Sequence, residues 1–176
     1  SWYSCLMRMS IVGLAGSGKS TLADAISKKL SIPHIHLDRF WFEANGLESL
    51  YKCTEENREV VRAVVKQKTQ AAIAADSWVS DGLYLHIQPE IAQRADSIIF
   101  LDIPLWRRLF NHVVRSFNPA TRHRELSILH DIAFLFEIIR REYKTKPRLK
   151  RFISENISKV KVLRSRRDVQ QFLESL

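Results

Sequence analysis

The chain has 176 residues, 45% of them apolar, with only five Gly and five Pro. That describes one globular domain with a real core, not a disordered chain. The formal net charge of +9 is uneven: 17 basic against 7 acidic residues follow Asp102, whereas 11 and 12 lie in the stretch ending there. Such a basic C-terminal part suits either a nucleic-acid surface or a set of arginines that closes over polyphosphate.

No apolar run reaches membrane-spanning length, no signal-peptide pattern is evident, and Cys5 and Cys53 make no disulfide framework. A cytoplasmic protein without a membrane partner is the expectation. Residues 1–8, ahead of Met9, are expected to be an extension or expression remnant outside a single domain that spans 9–176.

Met9 to Leu14 reads as the first strand and Lys19 to Leu30 as the first helix. Between them Gly13-Leu14-Ala15-Gly16-Ser17-Gly18-Lys19-Ser20 fits G-x-x-x-x-G-K-[ST] at every fixed position. Strand, glycine loop and helix is the order this chemistry needs. The loop amides and the helix N-terminus suit phosphate oxygens. Gly13, Ala15, Gly16, Ser17, Gly18 and Thr21 are therefore expected to cradle a nucleotide. Lys19 would reach its β- and γ-phosphates, and the Ser20 hydroxyl would ligate Mg²⁺.

His34 to Leu37 is a second short strand, followed by a turn near Asn45-Gly46. Residues 54–75 read as a long helix with Val60, Val61, Val64 and Val65 on one side. Trp78-Val79-Ser80 is a third strand, and a short helix over 87–94 starts near Pro89. Ser97 to Leu101 is the clearest buried strand. Helices are expected at about 104–117, 125–143 and 147–156, a fifth strand at 160–163 and a closing helix at 167–175. Alternation of strands and helices predicts a parallel sheet between helix layers. Residues 111–142 are less regular and read as a lid over the site.

Ligands of open α/β sheets bind at the carboxyl ends of the strands. Asp38, Asp81 and Asp102 sit at such ends. Asp81 is the expected holder of Mg²⁺ through water, and Asp38 the expected contact to an acceptor. For each, a helix cap or turn is the bland alternative, strongest for Asp102 ahead of Ile103-Pro104. Phe40, Trp41 and Phe42 read as core or as an aromatic wall. His34, His36 and His86 show no persuasive metal-ligand spacing. Seven arginines, Arg107, Arg108, Arg115, Arg122, Arg124, Arg140 and Arg141, lie in or beside the lid. Two or three are expected to clamp phosphates: Arg108 on the nucleotide, and Arg115 and Arg140 on the transferred group.

The ordered series continues with His36-Leu37-Asp38-Arg39-Phe40-Trp41, Trp78-Val79-Ser80-Asp81-Gly82-Leu83-Tyr84, the run from Arg94 to Pro104, and Leu163-Arg164-Ser165-Arg166-Arg167. This series resembles the adenylate-kinase-like group of small P-loop kinases often labelled "DNA topology modulation protein". The resemblance implies a P-loop NTPase fold: a five-stranded parallel sheet of order 2-3-1-4-5, a short arginine-rich helical lid, and ATP with Mg²⁺. It implies phosphate contact by Arg140 and adenine contact by Ser165 and Arg166. Adenylate kinases follow Asp-Gly with Phe-Pro-Arg, whereas Asp81-Gly82 is followed here by Leu83-Tyr84-Leu85. The expected function is transfer of the ATP γ-phosphoryl group to a small acceptor, a hydroxylated metabolite or a nucleotide. The alternative is an ATP-binding regulator associated with nucleic acid, although no nucleic-acid-binding motif is visible.

Overall fold

Strand β1 (Arg8–Gly13) runs through the middle of a five-stranded parallel sheet of order β2-β3-β1-β4-β5. A computed structural model describes residues 7–45, 55–117, 136, 138–140 and 142–176. In chain order the other elements are α1 (Lys19–Leu30), β2 (His34–His36), α2 (Leu37–Ala44), α3 (Glu55–Ala72), β3 (Trp78–Asp81), α4 (Gln88–Arg94), β4 (Ser97–Leu101), α5 (Leu105–Phe117), α6 (Lys146–Glu155), β5 (Val160–Leu163) and α7 (Arg166–Glu174).

The sheet is buried on both faces, because successive side chains of a strand point opposite ways. Ile99 and Leu101 of β4 join Met9, Ile11 and Val79 under Leu22, Ala23 and Ile26 of α1 and Phe172 of α7. Ile98 and Phe100 join Val12 and Trp78 on the other face, under residues of α2, α3, α4 and α6 that include Trp41, Val65, Ile91 and Leu149. Each such side chain contributes roughly 1.5–3 kcal/mol by leaving water.

The expected strands and their order are all present. The structure adds a helix that the sequence reading lacks: Leu37, read as the end of the second strand, opens α2. Leu37 and Trp41, one turn apart, are its buried residues. The helix expected over 125–143 and the lid expected over 111–142 fall mostly outside the described residues. Residues 111–117 belong to α5, and 138–140 and 142–144 are helical. Among the described residues, no helix is long and apolar enough to cross a membrane.

Candidate active site

The carboxyl end of β1 turns directly into the phosphate loop. Gly16 and Gly18 take φ of 79° and 91°, values that side chains with a Cβ rarely adopt. At Gly16 a Cβ would also lie 2.8 Å from the Arg108 carbonyl oxygen, so this turn has no room for one. Gly18 caps α1 without any side-chain hydrogen bond. The first turn of the helix therefore keeps its amides for an outside acceptor, as an anion site requires. The Ser17 hydroxyl is buried with no hydrogen-bond partner. Lys19 Nζ donates to Leu14 O at 3.3 Å, folding back along the loop. Thr21 is exposed in the same first turn.

Strand order explains what stands beside the loop. β3 lies between β1 and β2, with Asp81 level with Ile11 on one side and His36 on the other. Asp81 is 3% exposed. The Ser20 hydroxyl donates to its Oδ2. On Oδ1 it meets His34 Nε2 at 3.0 Å and His36 Nδ1 at 3.3 Å. Burial alone would push this carboxyl up, but the hydrogen bonds from His34 and Ser20 and the two imidazoles bring it below its ordinary value. A hydroxyl and a carboxylate, both hard oxygen donors, thus sit side by side at the loop, and this donor set fits Mg²⁺.

His34 lies between two carboxylates, with Nδ1 2.9 Å from Asp24 Oδ1. Burial lowers its pKa, yet the hydrogen bonds to Asp81 and Asp24 leave it above the ordinary value. Sequence reasoning missed this convergence. The available signal was His34-x-His36 on a strand, a spacing that puts both rings on one face.

A cleft of about 540 Å³ opens from Ser20 and Asp81 towards α2 and is lined by His36, Asp38, Arg39 and Phe42. Asp38 sits in the first turn of α2, where Tyr84 Oη donates to its Oδ1 at 2.8 Å. Tyr84 also stacks on Trp41 with ring centroids 5.6 Å apart. Trp41 is thus core and Phe42 lines the cleft. Arg39 pairs with Glu43 at 2.8 Å, and Glu43 pairs with Lys68 at 2.8 Å as well.

The structure separates the other expected site residues. Arg108 is 1% exposed and pairs with Glu142. It donates to Ile103 O at 3.0 Å and to Ala15 O at 3.3 Å, so it supports the loop through the loop's own carbonyl. Asn111 Nδ2 donates to Gly16 O at 3.2 Å from the same helix, a second support that the sequence did not reveal. Ser165 accepts from Asp168 N in a reciprocal cap of α7, and Arg166 is exposed beside it. Asp102 faces Arg164 at 3.6 Å. Arg140 is exposed; the side chain of Arg115, with Arg122, Arg124 and Arg141, lies outside what the structure describes.

No protein-family model matches the chain. A protein of Sulfurisphaera tokodaii described as "Putative adenylate kinase" is 31% identical over 97 residues, 54% of this chain and 48% of that one. The chain thus spans about half the length of the curated relative it matches. Two shikimate kinases are similar in structure at 16% identity each. The Bacteroides thetaiotaomicron enzyme has a TM-score of 0.59, with 96% of this chain and 95% of that one covered. The Acinetobacter baumannii enzyme, in complex with shikimate, has a TM-score of 0.61, with 98% and 92% covered. TT1252 from Thermus thermophilus is similar at 18% identity, with a TM-score of 0.58 and 96% and 95% covered. With a five-stranded order of β2-β3-β1-β4-β5 and a glycine loop at the head of α1, the chain shares the fold of these solved structures.

Proposed function

We propose that the chain transfers the γ-phosphoryl group of ATP to a hydroxyl of a small acceptor bound in the cleft beside α2. The observation that carries this reading is one cleft lined by both the Ser20–Asp81 pair and Asp38. A hydroxyl acceptor needs a carboxylate to take its proton, whereas a phosphate acceptor needs cationic clamps. Asp38 supplies the carboxylate. Arg39 is the one Lys or Arg among the described residues that line the cleft, and it is engaged with Glu43. The likeness to a shikimate kinase in complex with shikimate agrees with a hydroxylated acceptor. The curated relative keeps a nucleotide acceptor in the screen below.

Lys19 and the loop amides hold the β- and γ-phosphates in this scheme. Ser20 and, through water, Asp81 would hold Mg²⁺, which would supply charge neutralisation to the phosphates when bound. Tyr84 fixes the rotamer of Asp38 by donating to Oδ1, which leaves Oδ2 to accept the acceptor's proton. Arg115 and Arg140 are the proposed lid cations for the transferred group, and Ser165 and Arg166 the proposed adenine contacts.

The test is ADP release from ATP and Mg²⁺ across two panels, hydroxylated metabolites and nucleoside monophosphates. Saturable turnover with a hydroxylated acceptor is the expected result. Turnover confined to monophosphates overturns the hydroxyl reading, and no acceptor-dependent turnover in either panel overturns the kinase reading.

A further inference from the structure

We infer that Asp24, His34 and His36 form a binding site for a borderline transition-metal ion of the Zn²⁺ class, next to the phosphate-loop cation place and distinct from it. The inference stands apart from phosphoryl transfer. β2 places His34 and His36 on the face turned towards α1, and α1 brings Asp24 to the same spot. One ligand atom from each of the three residues lies within 4.8 Å of the other two. At zinc–ligand distances of about 2.0–2.1 Å, neighbouring ligand atoms of a tetrahedral ion stand about 3.3 Å apart. Small side-chain rotations therefore suffice to close the three around one ion. Two imidazoles and a carboxylate, with a fourth position left to water, are a set that zinc sites use.

Asp81 supplies the second element of such a site. A metal-bound histidine almost always donates its other ring N–H to a carboxylate, which fixes the tautomer and the ring. Asp81 Oδ1 lies within 3.3 Å of a ring nitrogen of both histidines. With the proton of His34 on Nε2 facing Asp81, Nδ1 keeps its lone pair at the side where Asp24 stands. The His34 side chain is 7% exposed, so its ring is already held in place. Asp24, at 55% exposed, opens the site to solvent for entry of the ion. Imidazole nitrogens select Zn²⁺, Cu²⁺ or Ni²⁺ over Mg²⁺, which takes oxygen donors and sheds water reluctantly. Nitrogen donors in one place and the Ser20 and Asp81 oxygens in the other thus divide two kinds of ion.

The experiment is calorimetric titration of chelator-treated, ion-free protein with Zn²⁺ alone, at neutral pH, with and without excess Mg²⁺. One ion per chain, bound at micromolar Kd or tighter and retained in Mg²⁺, is expected. Co²⁺ should give the intense visible bands of tetrahedral coordination. His34→Gln and His36→Gln should each weaken Zn²⁺ binding by at least tenfold, whereas His86→Gln should leave it unchanged. Absence of stoichiometric binding overturns the site and leaves His34 as a hydrogen-bonded bridge between two carboxylates. Displacement by Mg²⁺, or unaltered binding in the two histidine variants, overturns it as well. If those variants do not fold, Asp24→Asn alters an exposed carboxylate, and unchanged affinity there overturns the site equally.

Discussion

Arg108 and Glu142 form a largely buried ion pair, their side chains 1% and 14% exposed. Through the same guanidinium Arg108 holds Ala15 O of the phosphate loop and Ile103 O at the end of β4. Glu142 also accepts from Lys146 at the start of α6. One buried cation therefore ties the loop to the helical segment that precedes α6. Burial lowers the pKa of Arg108 and the charge of Glu142 opposes that.

Removing one partner of a buried pair strands the other charge, which costs about 3–5 kcal/mol. Glu142→Ala is expected at the low end, since Glu142 is not fully buried. At roughly 2–4 °C per kcal/mol for a chain of this size, thermal unfolding should shift down by about 6–12 °C. The double variant Arg108→Met with Glu142→Leu should recover most of that loss, because both charges leave together. A Glu142→Ala midpoint within 2 °C or so of wild type, less than the shift for 1 kcal/mol, contradicts the pair's structural role.

Lys19→Ala should abolish acceptor-dependent ADP release while leaving the far-ultraviolet spectrum intact. The lysine charge is needed where negative charge develops on the β–γ bridge, and Lys19 is the loop's own cation. Undiminished turnover in a folded Lys19→Ala protein contradicts the phosphate-loop assignment.

The pH dependence of stability carries a signature of His34. Its folded pKa is raised, so the folded state holds the proton more tightly than the unfolded state. That contribution is complete below the unfolded value of about 6.5 and is lost as pH rises through the higher folded value. His86 works the other way: burial and the nearby Arg62 and Lys66 lower its pKa. The readout is therefore a difference, the unfolding midpoint of wild type minus that of His34→Gln, in chelator across about pH 6 to 8.5. It should fall with rising pH. Asp81 titrates below its ordinary range and stays ionised throughout this window. A constant difference means that His34 gains nothing from its two carboxylates.

The phosphate loop was fully legible in the sequence because its geometry is local: fixed glycines, one lysine and one serine within eight residues. Strand β4 was legible because both of its faces are buried, which leaves an unbroken apolar run. α2 was not. Its eight residues carry an apolar pair, Leu37 and Trp41, and three aromatics in a row, which is too short for a helical period to stand out against a strand's end. The four-residue cluster around His34 was hidden for another reason. Asp24, His34, His36 and Asp81 come from one helix and two strands, and only the β2-β3-β1 order brings them together. The burial of Arg108 was not legible either, because it depends on Glu142, 34 residues away.

The acceptor's chemistry rests on Asp38. If the acceptor is an alcohol, its oxygen must lose a proton as the phosphoryl group arrives, and Asp38, one of three carboxylates that line the cleft with Glu43 and Asp81, is the base we propose. Asp38→Asn keeps the size and the contact with Tyr84 but removes the base, so kcat should fall about 10²-fold or more. The KM for ATP should barely move, because Asp38 is not among the proposed contacts to ATP. Tyr84→Phe removes only the hydrogen bond that orients Asp38, and the loss should be smaller than for Asp38→Asn. Its stacking on Trp41 survives in the phenylalanine. A phosphate acceptor behaves differently, since its attacking oxygen is already anionic and needs no base. Fast phosphorylation of a monophosphate, with Asp38→Asn slowing it only slightly, would therefore replace the hydroxyl acceptor with a nucleotide.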